Sequence, residues 1–275
     1  HRWSITRRDQ FWKEMFDFAG IKATRAATAV ETGSGMLGTK WFPELKFNFA
    51  AHLLRFGDDR VAIEAEDELG RTRSITYHEL RDQVARCAAA LRDAGVKRGD
   101  RVGGFLPNIP EAVIAMLATA GIGAIWSSCS PDFGIDGVFD RFGQIEPKIL
   151  FAADAYSYNG KTIDCLDRVR GITERIPSIK QVIIVPFINP PPNLAFLDRA
   201  ILWSTFVADQ SPERKRGVHG PVACTFGSDP GGGQSPPYEA VPFDHPLYIM
   251  YSSGTTGIPK CIVHGQGGTL LQHMK

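Results

Sequence analysis

Between residues 101 and 186 the chain alternates between two hydrophobic periods, and that alternation restricts its fold more than any other feature. Short apolar runs at 101–106, 124–127, 148–152 and 181–186 read as strands, and helix-patterned segments fill 108–120, 131–144 and 165–175. A strand with one wet face alternates polar and apolar residues. A strand covered on both faces is close to continuously aliphatic, as residues 181–186 are. Neighbouring strands linked through single helices form βαβ units, because a parallel partner is reached only by a crossover connection. The expected fold class is therefore α/β, with a largely parallel sheet covered on both faces. Asn108 is the expected N-cap of the first of these helices.

The flanking segments carry their own signals. Residues 77–94 form the clearest helix, with Leu80, Val84, Cys87, Ala88 and Leu91 at helical spacing. Thr76 is placed to cap it with Glu79 three residues on, and Gly95 is placed to end it. Residues 61–66 and 72–76 read as a hairpin bent at Gly70. Before it, residues 1–22 pattern as one amphipathic helix and 23–40 as a small-residue linker. Residues 41–54 bring aromatics and a short helix expected to pack on the main domain. Residues 187–240 break the alternation: prolines cluster near 190, one helix-like piece covers 197–208, and 228–237 is rich in Gly, Pro and Ser. The expected division is a helical and extended N-terminal segment, 1–71, followed by the α/β domain, 72–275.

Composition narrows the class of partner. A net charge of +1 provides no basic footprint for nucleic acid, and charged residues at 22% are ordinary for a soluble globular chain. The longest apolar run, 112–126, is too short for an ordinary membrane span and is interrupted by Gly121 and Gly123. Five scattered cysteines (Cys87, Cys129, Cys165, Cys224, Cys261) lack C-x-x-C spacing, which argues against a zinc site or disulfide framework and for a reducing, cytoplasmic setting.

The chemistry-bearing stretch is YIMYSSGTTGIPK, from Tyr248 to Lys260. An apolar strand ends in four hydroxyl residues and two glycines, followed by a lysine. Small residues let backbone N–H groups turn inward on an anion, and the lysine adds a mobile positive charge. Three readings compete. A P-loop NTPase needs G-x-x-x-x-G-K-[ST] running into a helix, but here Pro259 intervenes and residues 261–264 look like a second strand. A plain surface turn explains neither the density of small donors nor the lysine. A phosphate clamp between two strands accounts for both.

Ser252, Ser253, Gly254, Thr255, Thr256, Gly257, Pro259 and Lys260 match the pattern [ST]-[ST]-G-T-T-G-x-P-K at every specified position, and the chain here resembles the acyl-adenylate-forming, AMP-binding synthetases. The resemblance runs over nearly the whole chain. The stretches SSCSPDFG, YNGK and GGTLLQHMK narrow it towards the acetoacetyl-CoA synthetase family rather than the acetyl-CoA or propionyl-CoA branch. Residues 228–237 match no motif, and 23–40 match more weakly.

The resemblance implies the large N-terminal domain of an adenylate-forming synthetase, incomplete here, and two-step chemistry. Acetoacetate and ATP, with Mg2+, give an acyl-adenylate and pyrophosphate; the thiol of CoA then takes the acyl group and releases AMP. Ser252, Ser253, Thr255 and Thr256, with the Gly254 and Gly257 amides, would hold the β- and γ-phosphates, and Lys260 would neutralise them. Catalytic residues, a magnesium-binding glutamate and the acyl pocket would follow Lys275, so the chain reads as a fragment that is inactive alone. Ser128 and Lys161, near strand ends where doubly wound sheets place ligands, are candidates for the CoA path. For Lys161 simple solvation is the competing reading. His264 reads as structural and Cys261 as an inert thiol on a buried strand. The alternatives to the acetoacetate ligase are an acetyl- or propionyl-CoA synthetase, another acyl-adenylate enzyme, or a catalytically dead nucleotide-binding fragment.

Overall fold

The computed structural model describes residues 1–188, 191–208, 238–252 and 257–275. The expected single N-terminal helix is two, α1 (Arg2–Thr6) and α2 (Arg8–Ala19), because Arg7 leaves helical geometry at φ −135°, ψ 59°. Gly20, at φ 63°, closes α2 in the left-handed conformation open to glycine. The segment expected to be a linker holds a small antiparallel ladder, β1 (Glu31–Thr32) with β2 (Lys40–Trp41), around the single turn α3 (Gly35–Gly38).

β3 (Lys46–Phe47) and α4 (Phe49–Leu53) bring the aromatic layer onto the main body. Phe16 stacks on Phe42 at 5.0 Å between centroids, and Phe42 packs on Phe243 at 4.8 Å. Asn48 ties this layer down. Its Nδ2 donates to the carbonyls of Ala120 and Glu239 at 3.0 and 2.9 Å, while its Oδ1 accepts the N-cap bond of α4 from Ala51.

The hairpin β4 (Val61–Glu66) and β5 (Thr72–Thr76) leads into α5 (Tyr77–Asp93). The predicted capping box is present. The Thr76 hydroxyl accepts from Glu79 N at 3.2 Å, and the Glu79 carboxylate accepts from Thr76 N at 2.8 Å. Gly95, at φ 79°, follows the C-cap Ala94 as expected.

The alternating region then gives β6 (Arg101–Phe105), α6 (Pro110–Gly121), β7 (Ile125–Cys129), α7 (Ile135–Ile145) and β8 (Ile149–Ala153). Asn108 is not the cap of α6. Ile109 occupies that position and Pro110 starts the helix, where its missing N–H leaves no bond unmade. The chain continues through β9 (Ala155–Tyr158), β10 (Lys161–Asp164), α8 (Leu166–Arg175) and β11 (Gln181–Val185). β9 and β10 form an antiparallel hairpin that the strand–helix reading missed. Its turn residues Asn159 and Gly160 both have positive φ, 51° and 71°, as a tight two-residue connection requires.

The piece expected to be helical over 197–208 is a short strand, β12 (Ala200–Leu202), running into α9 (Trp203–Ala208). The tract 228–237 lies outside the described residues, as do the rest of 209–237 and residues 189–190. β13 (Val241–Pro242), β14 (Pro246–Ser252), β15 (Lys260–Gly265) and α10 (Gln266–Met274) complete the order.

Seven strands make the main sheet in the order β12-β11-β8-β6-β7-β14-β15. The first six are parallel neighbours, and β15 alone is antiparallel, paired with β14. Side-chain alternation divides the core. Ile149, Phe151 and Ala153 of β8 pack with α5, α6 and α9 on one face, while Leu150 and Ala152 pack with α7 and α8 on the other. Both sets are fully buried or nearly so, each large side chain contributing about 1.5–3 kcal/mol. Central strand β6 carries Gly104 where a Cβ would lie 2.5 Å from the Trp126 ring, so the glycine gives that indole its place over the sheet.

Candidate functional site

β14 and β15 are the two strands expected on either side of the Ser/Thr/Gly loop, and their register sets Ser252 opposite Lys260. Ser253, Gly254, Thr255 and Thr256 lie outside the described residues. Of the proposed phosphate ligands, Ser252, Gly257 and Lys260 are described. Ser252 is half-buried, Gly257 and Lys260 are exposed, and Pro259 between the last two is buried. Gly257 has φ 92°, a conformation that a side chain would strain. The loop thus leaves the sheet at a partly covered hydroxyl and returns at an exposed lysine.

β14 is anchored from inside the sheet. Ser127 of β7 places its Oγ 2.8 Å from the carbonyl oxygen of Ile249 and 2.9 Å from the hydroxyl of Tyr251. Burial pushes the Tyr251 phenol above its usual range and keeps it neutral. The Arg141 guanidinium, on α7, lies 5.8 Å from the centre of the Tyr251 ring and 4.4 Å from that of Phe133. Ser127 is therefore a buried fastening rather than a surface ligand.

Ser128, the next residue, is exposed near the carboxyl end of β7. Lys161 is exposed too, but it does not simply follow a strand of the main sheet. It opens β10, in the hairpin that rises from the end of β8. Both lie on the carboxyl side of the parallel strands, where β14 also ends in Ser252.

Cys261 is exposed, which corrects the expectation of a buried strand: β15 is the last strand of the sheet, and Ile262 and Val263 beside it are 45% and 57% exposed. Loss of solvation raises its thiol pKa, which disfavours a thiolate nucleophile. His264 packs against Tyr248 with ring centroids 5.1 Å apart, in keeping with a structural role. Gly267, at the start of α10, is a packing glycine: a Cβ there would fall 2.2 Å from the Phe243 ring.

Among the described residues no group of three or more His, Cys, Asp or Glu side chains is placed to hold a metal ion, and no helix is long and apolar enough to cross a membrane.

A strand–loop–strand of this composition, set beside the carboxyl ends of a parallel sheet, can cradle a nucleotide's phosphates. The model of the AMP-binding enzyme family matches residues 49–275. The chain belongs to the AMP-binding enzyme family. This AMP-binding chain is 41% identical over 290 residues to an acetoacetyl-CoA synthetase of Macaca fascicularis, and 42% identical over 278 residues to an acetoacetyl-coenzyme A synthetase of Rhizobium meliloti (strain 1021). Its fold matches the solved structure of an acetoacetyl-CoA synthetase from Streptomyces lividans with a TM-score of 0.86 and 40% identity. In each comparison the whole chain is matched, and it spans 39% of the other protein's length.

Proposed function

We propose that this chain is the N-terminal part of an ATP-dependent acid–thiol ligase that converts acetoacetate and CoA to acetoacetyl-CoA, AMP and pyrophosphate. The observation that carries the reading is the pairing of Ser252 with Lys260 at the mouth of the β14–β15 hairpin. It occurs in a chain similar along its whole length to acetoacetyl-CoA synthetases. A carboxylate oxygen of acetoacetate attacks the α-phosphorus of ATP, and the bond to pyrophosphate breaks. The thiol sulfur of CoA then attacks the acyl carbonyl, and AMP leaves. Negative charge builds on the departing pyrophosphate in the first step, and a lysine with hydroxyl and amide donors around it stabilises that charge.

In this reading Ser252, Ser253, Gly254, Thr255, Thr256, Gly257 and Lys260 face the β- and γ-phosphates, and Ser128 and Lys161 line the approach of CoA. Magnesium would accompany the nucleotide; among the described residues no group of three or more His, Cys, Asp or Glu side chains is placed to hold it. Residues 1–275 span 39% of the relatives' length, and alone they are expected to be inactive. The free thiols Cys87, Cys129, Cys165 and Cys261 support a reducing, cytoplasmic setting.

The test is pyrophosphate release by the full-length protein with acetoacetate, acetate and propionate in turn, each with ATP and CoA. Preference for acetoacetate in kcat/KM is the expected result. Preference for acetate or propionate would reassign the substrate, and no release with any acid would overturn the ligase reading.

A further inference from the structure

The side-chain amide of Gln144, near the end of α7, reaches the returning strand of the hairpin. Its Nε2 donates to the Pro259 carbonyl at 2.9 Å and to the Asp140 carbonyl at 2.5 Å, and the Cys261 thiol donates to its Oε1 at 3.6 Å. Both amide protons are used, and rotating the amide by half a turn would set oxygen against carbonyl oxygen. The group therefore has one satisfactory orientation. Pro259 and Cys261 are the two chain neighbours of Lys260, so a single side chain holds the backbone just before the lysine and the side chain just after it.

The platform is firm. Val138 and Phe142 of α7 are fully buried and Ile145 nearly so, and Arg101 Nε donates to the Ile145 carbonyl at 2.6 Å, tying the end of the helix to β6. Strand geometry then gives the contact a direction. Successive side chains point to opposite faces, so holding Cys261 on the α7 side sends Lys260 to the face it shares with Ser252, its partner across the ladder.

We propose that Gln144 is the positioning residue for Lys260: it fixes the phase of β15 so that the lysine is presented for the phosphates instead of turned away. This rests on the reading that Lys260 meets the nucleotide, and it adds a residue that the loop motif does not contain. Gln144 is exposed, so it adds little to the core and its removal separates positioning from folding.

The experiment uses the full-length enzyme with Gln144→Met, which keeps the length of the side chain and removes its donors. Gln144→Glu serves as a second variant that loses the donation to Pro259, and Cys261→Ser as a conservative change that keeps a donor to Gln144. Both Gln144 variants are expected to raise KM for ATP about ten-fold while KM for acetoacetate and CoA stays within about two-fold. Cys261→Ser and the thermal midpoints are expected to stay close to the parent. In a Lys260→Ala background, Gln144→Met is expected to add little, because both changes remove the same interaction.

An unchanged KM for ATP in both Gln144 variants would overturn the proposal. So would equal losses towards all three substrates with a lowered melting point, or multiplication of the two effects in the double variant. If Lys260→Ala alone leaves both KM for ATP and the rate of pyrophosphate release intact, the phosphate reading itself fails. If Lys260→Ala impairs either and Gln144→Met impairs neither, only the positioning role fails.

Discussion

Ser127 and Tyr251, 124 residues apart in sequence, meet hydroxyl to hydroxyl at 2.9 Å beneath the start of the Ser/Thr/Gly loop. Ser127 has one proton, and its other neighbour, the Ile249 carbonyl at 2.8 Å, can only accept. The serine proton therefore goes to Ile249, and the tyrosine hydroxyl donates to the serine. Ser127→Ala is expected to remove the serine's bonds to both the Ile249 carbonyl and the Tyr251 phenol and to lower unfolding free energy by about 1–3 kcal/mol. Adding Tyr251→Phe removes the phenol hydroxyl, so the double variant is expected to lose less than the sum of the single losses. Urea unfolding of the four proteins in the cycle measures this, and strict additivity would contradict the shared bond.

Lys260→Ala tests the other end of the loop. Removing the charge proposed to face the leaving pyrophosphate is expected to slow its release by about a hundred-fold, of the order seen when one stabilising donor is lost. KM for acetoacetate is expected to change little. Single-turnover measurement of pyrophosphate in the full-length enzyme reads the step directly, and an unaltered rate would remove Lys260 from the chemistry.

His52, on α4, is expected to make the fold sensitive to acid. It is buried with its Nε2 unpartnered, and burial, helped by the neighbouring Arg55, lowers its pKa to about 4 from the usual 6.5. A histidine depressed in the folded state binds its proton more readily when unfolded, so stability falls as pH drops through the window from 6.5 to 4. The contribution lost across that window is about 2–3 kcal/mol. His52→Leu is expected to flatten this part of the stability–pH curve, as read by urea unfolding between pH 4 and 7. An unchanged slope would show that other groups carry the acid sensitivity.

Gly267→Ala is expected to destabilise the domain by about 1–3 kcal/mol, because the new methyl must displace the Phe243 ring. Phe243 also packs on Phe42, so the strain is expected to pass to the N-terminal aromatic layer. Phe243→Leu in the same chain makes room for the methyl and should recover part of the loss. Thermal melting of the parent and these two variants decides it: no recovery would place the strain elsewhere.

The sequence conveyed the periodic parts of this fold. α5 could be read from its apolar spacing and the Thr76–Glu79 box, and β11 from its near-unbroken aliphatic run, because both signals are local. Breaks and small departures were harder to read. Nothing in the residues around Arg7 announces the end of α1, and Pro110 took the start of α6 from Asn108 through a backbone restriction stronger than a side-chain cap. The Asn159–Gly160 turn was legible as a hairpin signal but was hidden by the expectation of one strand per helix.

At the site, the composition of the loop suggested a phosphate clamp, while Gln144 left no mark. Its contact with Pro259 spans 115 residues and depends on where α7 docks, which no local pattern encodes. Cys261 was misread for a related reason: an apolar strand looks the same in the middle of a sheet as at its edge, and only the strand order tells them apart.

The reversal of β15 also bears on the order of events in folding. Its ladder with β14 closes over a short loop, whereas seating β14 beside β7 brings together residues 122 apart, Ser127 and Ile249. Local closure costs little chain entropy and long-range closure costs more, so the hairpin that carries the lysine should form before it has a sheet to join. Pulse-labelled amide exchange during refolding would then protect Met250 and Ile262 ahead of Trp126; simultaneous protection would mean that hairpin and sheet assemble as one unit.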